Sequence, residues 1–341
     1  MRWLSSATVE HLRRVAEWPD LADTKYRLLE ELGRGGMGAV YLADDTVLGR
    51  KVALKVVATG VSDPAAAERM LREARIIARL EHPGIVPVHD AGALPDGRVF
   101  YAMKRVDGSR LDALAPAMPL AERLRVFQRV CEAVAFAHAH GVIHRDLKPE
   151  NVMVGAFGEV LVMDWGIARL LESAADDPSA RPHGARGTAA GSVMGTLSYM
   201  APEQAAGGVA GAAADVYALG GILYFLLAAR PPFEDEAAEA RARAGGADAP
   251  PRPIREAAAG VPAALEAVVA RAMSIAPEAR YASAEELSAE VSRYLDGERV
   301  LAHRETAVER AGRFFAKYRT AILLVAAYLV VRAAMLWLFP R

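Results

Sequence analysis

The sequence has little cysteine and almost no net charge. Its 341 residues include one cysteine, Cys131, so an intramolecular disulfide is excluded and the chain suits a reducing compartment. The formal net charge of −1 gives no general attraction to nucleic acid, and no nucleic acid partner is expected. The first 24 residues lack a continuous apolar run, which argues against a signal peptide and leaves a short amphipathic helix as the interpretation of residues 1–25.

The strand and helix patterns divide the chain into two parts. Residues 26–58 alternate apolar and polar positions with Gly and Asp between them, which predicts antiparallel strands. A helical period follows in residues 64–82, strand-like residues 99–106 come next, and helical patterns dominate after residue 120. Residues 171–195 show no hydrophobic period and are interpreted as a loop. The sequence therefore predicts an α+β chain with a small sheet lobe and a larger helical lobe.

A long apolar run stands near the C-terminus. Residues 321–339 contain one charge in 19 positions and as a helix would be roughly 28 Å long, close to the thickness of the membrane hydrocarbon. Arg332 costs about 2.5 to 3.5 kcal/mol at mid-span, and the ten Ile, Leu, Val and Phe residues, each favourable by roughly 0.3 to 0.6 kcal/mol, offset it. We expect a transmembrane helix here, with a buried core helix as the alternative.

The charges that flank this run predict its orientation. Because the positive-inside rule retains basic flanks in the cytoplasm, the large N-terminal part is expected there, in a single-pass protein of the cytoplasmic membrane. The basic segment 296–320 could also lie on anionic lipid headgroups, or could be an ordinary charged helix. Only Arg341 follows the run, whereas five basic residues precede it: Arg304, Arg310, Arg313, Lys317 and Arg319.

A glycine-rich motif follows the first predicted strand. In GRGGMG, glycines at 33, 35 and 38 allow a tight turn and a close approach of backbone N–H groups to phosphate oxygens. Alone the motif is weak evidence, since a plain glycine hairpin fits it equally well. It also lacks the following helix that a dinucleotide fold requires.

A lysine stands in the apolar strand VALKVV. Lys55 interrupts its apolar pattern, either because the side chain reaches solvent from an edge strand or because phosphates and a carboxylate lie opposite it. The helix that follows offers Glu73 as the acidic partner. Glu68 is the alternative, and spacing alone does not exclude it.

The segment HRDLKPEN, residues 144–151, concentrates polar side chains between rigid elements. Asp146 lies five residues before Asn151 and eighteen before Asp164 of DWG. A loop and a hairpin can therefore bring two carboxylates and an amide together. Such oxygen ligands suit Mg2+, which proteins hold with few side chains plus phosphate.

Six motifs in this order resemble those of the bacterial eukaryotic-like serine/threonine protein kinases, which are anchored to membranes. The resemblance covers residues 26–295 and implies the two-lobed protein kinase fold, with ATP and Mg2+ or Mn2+ as cofactors. It implies protein substrates and allows a homodimer. The motifs are GRGGMGAV, VALK, LREA, HRDLKPEN, DWG in place of DFG, and APE at 201–203.

The resemblance implies a role for each matching residue. Asp146 would accept the proton of the substrate hydroxyl, Lys148 would stabilise the transferred phosphoryl group, and Asn151 and Asp164 would hold Mg2+. Met103 resembles the gatekeeper. The residues expected around ATP are Leu32, Gly33, Arg34, Gly35, Gly36, Met37, Gly38, Ala39, Val40, Ala53, Lys55, Glu73, Met103, Lys104 and Val106.

The resemblance also implies structural and regulatory residues. Glu203 and Arg280 would form the ion pair that fixes the substrate loop, and Asp215 would hold the catalytic loop. Thr196 would contact Asp146 and Lys148. Thr188 and Ser192 are candidate autophosphorylation sites in the activation loop. Trp165 replaces the usual phenylalanine of DFG, so the balance between active and inactive states can differ.

Two other functions remain as alternatives. A membrane-anchored pseudokinase scaffold would bind ATP without transferring phosphate, and a phosphotransferase for small molecules would share the lysine, aspartate and metal groups. The APE motif, Asp215 and Arg280 disfavour the second alternative, since they resemble the residues that serve protein substrates.

Overall fold

The computed structural model describes residues 18–35, 38–56, 71, 74–165, 169–170, 197–208, 210–233 and 251–338. The strands and helices occupy different parts of the chain, as the sequence predicts: strands predominate before residue 111 and helices after it. The predicted α+β chain with a sheet lobe and a helical lobe is confirmed. Of the predicted helix at 64–82, residues 71 and 74–82 are described. Residues 71 and 74–77 are helical, and the helix ends before residue 78.

The first lobe is built on a five-stranded antiparallel sheet. The strand order is β1-β2-β3-β5-β4, and Gly35 of β1 pairs with Gly38 of β2. Strand β3 is charged at its start and buried from Val52 onward, because its later residues pack between β2 and β5. The strands are β1 (Tyr26–Gly35), β2 (Gly38–Asp45), β3 (Arg50–Val56), β4 (Val88–Ala93) and β5 (Val99–Lys104).

The second lobe surrounds one apolar helix. Helix α4 (Ala212–Ala228) is buried on nearly all sides, as expected for a helix that is hydrophobic around its whole circumference. Helix α2 (Leu120–Ala139) packs against it, and buried residues of α2 that include Leu124, Phe127 and Val134 belong to the same core cluster. The other helices of this lobe are α1 (Leu111–Leu114), α3 (Pro202–Ala205), α5 (Ile254–Ala257), α6 (Ala263–Ala272) and α7 (Ala284–Leu295).

Short strands hold the loops that lie between the lobes. Strand β7 (Val142–Ile143) pairs with β10 (Arg169–Leu170), and the segment between β7 and β8 contains a 3-10 turn at Pro149–Asn151. A three-stranded sheet joins β6 (Gly108–Arg110), β8 (Val152–Gly155) and β9 (Val160–Val162). The hairpin β8–β9 thereby returns the chain from residue 151 to residue 164, as the spacing of the polar residues predicts.

The last helix lies apart from the described core. Helix α8 (Ala307–Leu338) is 32 residues long, and its segment Tyr318–Met335 is apolar and long enough to cross a membrane, with none of it buried. Thr306 and Glu309 form two reciprocal hydrogen bonds at the start of the helix. The Thr306 N–H donates to the Glu309 carboxylate, and the Glu309 N–H donates to the Thr306 hydroxyl. The segment before it is attached to the second lobe, since Val300 is buried and the Ala302 N–H donates to Glu290.

Candidate active site

The polar residues of HRDLKPEN meet in one place. The Asn151 amide N–H donates to the Asp146 carbonyl oxygen over 2.7 Å and to its carboxylate over 3.2 Å. The Lys148 ammonium lies 3.2 Å from the same carboxylate. Both donors contact Oδ2 of Asp146, so the orientation of this carboxylate is restrained. This arrangement suits a group that must receive a proton from a bound hydroxyl.

A buried aspartate fixes the backbone on which Asp146 stands. The Asp215 carboxylate accepts the backbone N–H of His144 and that of Arg145, each at 2.8 Å, and lies 2.8 Å from His138 Nε2. Arg145 has a φ of 68°, in the left-handed region that costs a non-glycine residue roughly 1 to 2 kcal/mol. The two charge-assisted hydrogen bonds stabilise this conformation. Helix α4, through Asp215, therefore holds the backbone of this loop at His144 and Arg145.

Lys55 and Asp164 form the second polar pair. The ammonium lies 2.5 Å from the carboxylate, and strand β3 buries the lysine almost completely. Burial acts to lower the pKa of Lys55, but Tyr101 and Asp164 raise that pKa above its ordinary value. Burial acts to raise the pKa of Asp164, and the Lys55 ammonium outweighs it, so that pKa is lowered. Both groups are therefore charged at neutral pH.

The oxygen groups between the lobes fit a magnesium ion that is shared with a phosphate. The amide nitrogen of Asn151 is directed at Asp146, so its carbonyl oxygen faces away from that contact and can serve as a ligand. Asp164 adds an ionised carboxylate. Among the described residues, no group of three or more His, Cys, Asp and Glu side chains could hold a metal by itself. Mg2+ favours coordination by a small number of side chains together with phosphate oxygens.

Trp165 is anchored directly behind Asp164. Its indole N–H donates to the Val162 carbonyl over 3.0 Å, and its ring lies 4.6 Å from that of His144. The His144 Nε2 N–H in turn donates to the Met163 carbonyl over 2.9 Å. The side chain is 1% exposed, so the larger ring is accommodated fully in the core. Trp165 thus has a polar contact that phenylalanine cannot make.

An apolar patch lies beside these charges. Ala53 and Met103 belong to one buried cluster, against which Val40 and Val106 pack. The Lys104 N–H donates to the Pro87 carbonyl over 3.0 Å, so the strand that leads to Val106 is held in place. The structure therefore brings together four of the residues expected around ATP, in the apolar environment that suits an aromatic ring.

The glycine-rich motif lies along the β1–β2 edge. Gly38 has a φ of 135°, which only glycine adopts readily, and nothing lies within 4 Å of a side chain built at Gly33. Leu32 is half exposed. Of the other predicted residues in this motif, Arg34, Gly35 and Ala39 belong to the two strands, whereas Gly36 and Met37 lie outside the described residues.

Glu203 and Arg280 form a bidentate ion pair at the base of helix α3. The Nη1–Oε1 and Nη2–Oε2 distances are 2.7 and 2.8 Å, and the guanidinium is fully buried. Arg280 also donates to the carbonyls of Ser274, Ala213 and Ile275. The remaining predicted residues lie outside the described residues: Glu73 and its alternative Glu68, expected to pair with Lys55, and Thr188, Ser192 and Thr196.

The structure reveals three polar residues that the sequence analysis did not identify. His138 contacts Asp215, and Gln204 contacts the catalytic loop. Burial raises the pKa of Glu150, which lies in HRDLKPEN itself. The only feature of the sequence that could have indicated a role for Gln204 is its position directly after APE. No sequence feature indicates a role for His138.

Comparison with known proteins identifies relatives over most of the chain. Residues 26–289 match the family described as protein kinase domain. The chain is 35% identical over 299 residues to serine/threonine-protein kinase PknD of Protochlamydia amoebophila, covering 80% of this chain and 30% of that protein. It is 40% identical over 268 residues to the protein of the same name from Mycobacterium tuberculosis, covering 77% of this chain and 38% of the relative. The chain thus spans about a third of the length of these curated relatives.

A solved structure has the same fold. The crystal structure of the Mycobacterium tuberculosis PknI kinase domain superposes with a TM-score of 0.60 and 29% sequence identity. The match covers 79% of this chain and 96% of that domain.

Proposed function

Because the chain belongs to the protein kinase family, we propose that it is a serine/threonine protein kinase that transfers the γ-phosphoryl group of ATP to serine and threonine hydroxyls of proteins. One observation carries the proposal: the Asp146 carboxylate contacts both Lys148 and Asn151, and the Lys148 charge also acts on Asp164, the partner of Lys55. The names of the curated relatives, serine/threonine-protein kinase, support the same activity.

The catalytic residues would divide the reaction between them. The substrate hydroxyl forms a bond to the γ-phosphorus, the bond to the β-phosphate oxygen breaks, ADP leaves, and the hydroxyl proton passes to Asp146. Lys148 stabilises charge on the transferred phosphoryl group. Because the transition state is loose, positioning and electrostatic stabilisation supply most of the rate gain.

The nucleotide would lie between the lobes. Lys55, paired with Glu73, holds the α and β phosphates, and Asn151 and Asp164 would hold Mg2+ or Mn2+. When bound, the metal neutralises charge on the β and γ phosphates. The adenine ring would lie between Val40, Ala53 and Met103, with the Lys104 and Val106 backbone beside it, and the remaining contacts would come from Leu32 to Ala39 of the glycine-rich motif.

The proposed organisation of the chain has four parts. Residues 1–25 precede the kinase domain of residues 26–295, a basic segment follows at 296–320, and residues 321–339 anchor the protein in the cytoplasmic membrane with the kinase domain in the cytoplasm. Helix α8 supports this organisation, because its apolar segment Tyr318–Met335 is exposed throughout. A homodimer is compatible with this arrangement.

Regulation would act through the segment before helix α3. Thr188 and Ser192 are the proposed autophosphorylation sites, and a phosphate there would neutralise Arg145 and order the segment. Thr196 would contact Asp146 and Lys148. The absence of phosphate between residues 171 and 196 in active protein, measured by mass spectrometry, would contradict this part of the proposal.

The activity is tested by phosphate transfer in the full-length protein purified in detergent. Labelled ATP is supplied with Mg2+ or Mn2+ and a general protein substrate, beside Lys55→Ala and Asp146→Asn. Label on serine and threonine of the wild type, lost in both variants, is the expected result. Nucleotide binding without any transfer would support the alternative of an ATP-binding scaffold. Binding of an ATP analogue should persist in Asp146→Asn, since that change removes the proton acceptor and leaves Lys55 in place.

A further inference from the structure

The side chain of Gln204 connects helix α3 to the catalytic loop. Its Nε2 N–H donates to the carbonyl oxygen of Arg145 over 3.1 Å, and its Oε1 accepts the Ala201 N–H over 3.2 Å. One partner is a carbonyl and the other is an N–H, so both ends of the amide are used and its orientation is determined. The sequence separation between Gln204 and Arg145 is 59 residues, so this contact exists only in the folded protein.

The Arg145 backbone is held from both sides. Asp215 accepts its N–H over 2.8 Å, and Gln204 donates to its carbonyl. The same residue has a φ of 68°, an unfavourable conformation for a side chain larger than glycine, which persists where neighbouring contacts determine it. Its carbonyl belongs to the peptide bond that leads to Asp146. A rotation of this peptide would therefore move the Asp146 carboxylate away from Asn151 and Lys148.

Helix α3 provides a rigid base for this contact. Glu203, the residue before Gln204, is fixed by the buried Arg280 guanidinium at 2.7 and 2.8 Å. The Gly208 N–H donates to the Glu203 carbonyl over 2.8 Å, which holds the end of the helix. The Gln204 amide therefore extends from a backbone that cannot shift without breaking a buried ion pair.

We propose that Gln204 is a positioning residue for phosphoryl transfer: by donating to the Arg145 carbonyl it fixes the peptide that orients Asp146 and joins the geometry of the catalytic loop to that of the segment ending at Ala201. This inference rests on the proposed kinase function. Within the part of the chain that the structure describes, the Gln204 amide hydrogen-bonds to Ala201 and Arg145, not to Asp146 or Lys55, so its effect should appear in the chemical step and not in nucleotide binding.

The first test is Gln204→Glu in the full-length protein, with Gln128→Glu on helix α2 as the matched control. The new carboxylate has the shape of the amide but places an acceptor against the Arg145 carbonyl. We expect kcat at pH 8 to fall about tenfold, with the KM for ATP within twofold of wild type. Gln128→Glu should leave both constants unchanged. A kcat for Gln204→Glu within twofold of wild type would overturn the proposal, as would a loss confined to the KM for ATP.

The pH profile separates positioning from a general structural effect. Once protonated, the introduced carboxyl can donate to the Arg145 carbonyl as the amide does. The kcat of Gln204→Glu relative to wild type should therefore recover between pH 8 and pH 5.5. Gln204→Met, which has no donor at any pH, should remain about tenfold low throughout. Equal ratios for both variants across this range would contradict a hydrogen-bonding role.

Hydrogen exchange tests the contact independently of activity. The Ala201 amide should exchange at least threefold faster in Gln204→Met than in Gln128→Glu at pH 8, because methionine removes the oxygen that accepts its N–H. The Arg145 amide, which donates to Asp215, should also exchange faster, because the loop loses the donor that holds the Arg145 carbonyl. If the wild type transferred no phosphate, the proposed function would fail, and these exchange rates would still decide whether Gln204 positions the loop. Unchanged rates at both amides would overturn the inference.

Discussion

The Arg280 guanidinium and the Glu203 carboxylate face each other with two parallel hydrogen bonds of 2.7 and 2.8 Å, although 77 residues separate them in sequence. The guanidinium is fully buried, whereas the glutamate side chain is 21% exposed. Removing one partner of such a pair leaves a buried charge without compensation, which costs more than the pair itself contributes. This relationship therefore determines whether helix α3 stays in place.

Arg280→Leu should destabilise the second lobe strongly. We expect the free energy of unfolding to fall by about 3 to 5 kcal/mol, because the Glu203 carboxylate and three backbone carbonyls lose their donor. Arg255→Leu is the matched control: the Arg255–Glu266 pair, at 2.6 Å, has a half-exposed arginine and should cost less than about 1 kcal/mol. Urea unfolding monitored by circular dichroism measures both. Equal losses in the two variants would contradict the importance assigned to burial.

Trp165→Phe should lower stability moderately. The change removes the indole N–H that donates to the Val162 carbonyl over 3.0 Å, together with part of a buried ring. We expect a loss of roughly 1 to 2 kcal/mol in the free energy of unfolding. Trp18→Phe makes the same chemical change at a side chain that is 41% exposed, and it should cost less than about 0.5 kcal/mol. A Trp165→Phe protein as stable as wild type would show that the hydrogen bond contributes nothing.

Glu150→Gln should stabilise the protein at neutral pH. Burial raises the pKa of Glu150, and its Oε2 atom has no hydrogen-bond partner among the residues that the structure describes. Because the folded state binds this proton more tightly than the unfolded chain, ionisation of Glu150 costs stability as the pH rises through the folded pKa. We expect Tm at pH 7 to rise by about 2 °C and the gain to disappear near pH 4.

The control for this prediction is Glu298→Gln, at an exposed glutamate of the second lobe, which should leave Tm unchanged at both pH values. Thermal unfolding followed by intrinsic fluorescence provides the measurement. A decrease in Tm for Glu150→Gln at pH 7 would mean that the carboxylate is stabilised by contacts and not penalised by burial.

Two arginines in helix α8 should prevent membrane insertion. Leu324 and Leu329 are exposed within the apolar segment, and each change to Arg costs about 2.5 to 3.5 kcal/mol at mid-span. We expect Leu324→Arg/Leu329→Arg to be extracted from membranes by alkaline carbonate. Arg332→Leu, which removes the one charge from this run, should remain in the membrane fraction. Retention of the double variant after extraction would argue against a spanning helix.

The motifs and their chemistry could be predicted because they depend on neighbouring residues. HRDLKPEN, DWG and VALK each place the required side chains within a few residues of one another, and the hairpin between Asn151 and Asp164 is short enough to predict their approach. The helix over the apolar run of residues 321–339 could likewise be predicted without a structure, since length and composition suffice to predict a long helix.

Contacts across long sequence separations depended on the tertiary structure. Nothing near Gln204 indicates that its amide reaches the Arg145 carbonyl, and nothing near His138 indicates that its ring meets Asp215. The burial of Trp165 against His144 likewise depended on the packing of the core. The sequence determined which chemical groups are present and their local spacing. Only the fold decided which of them meet, because hydrogen bonds and burial between distant segments depend on how the helices and sheets pack.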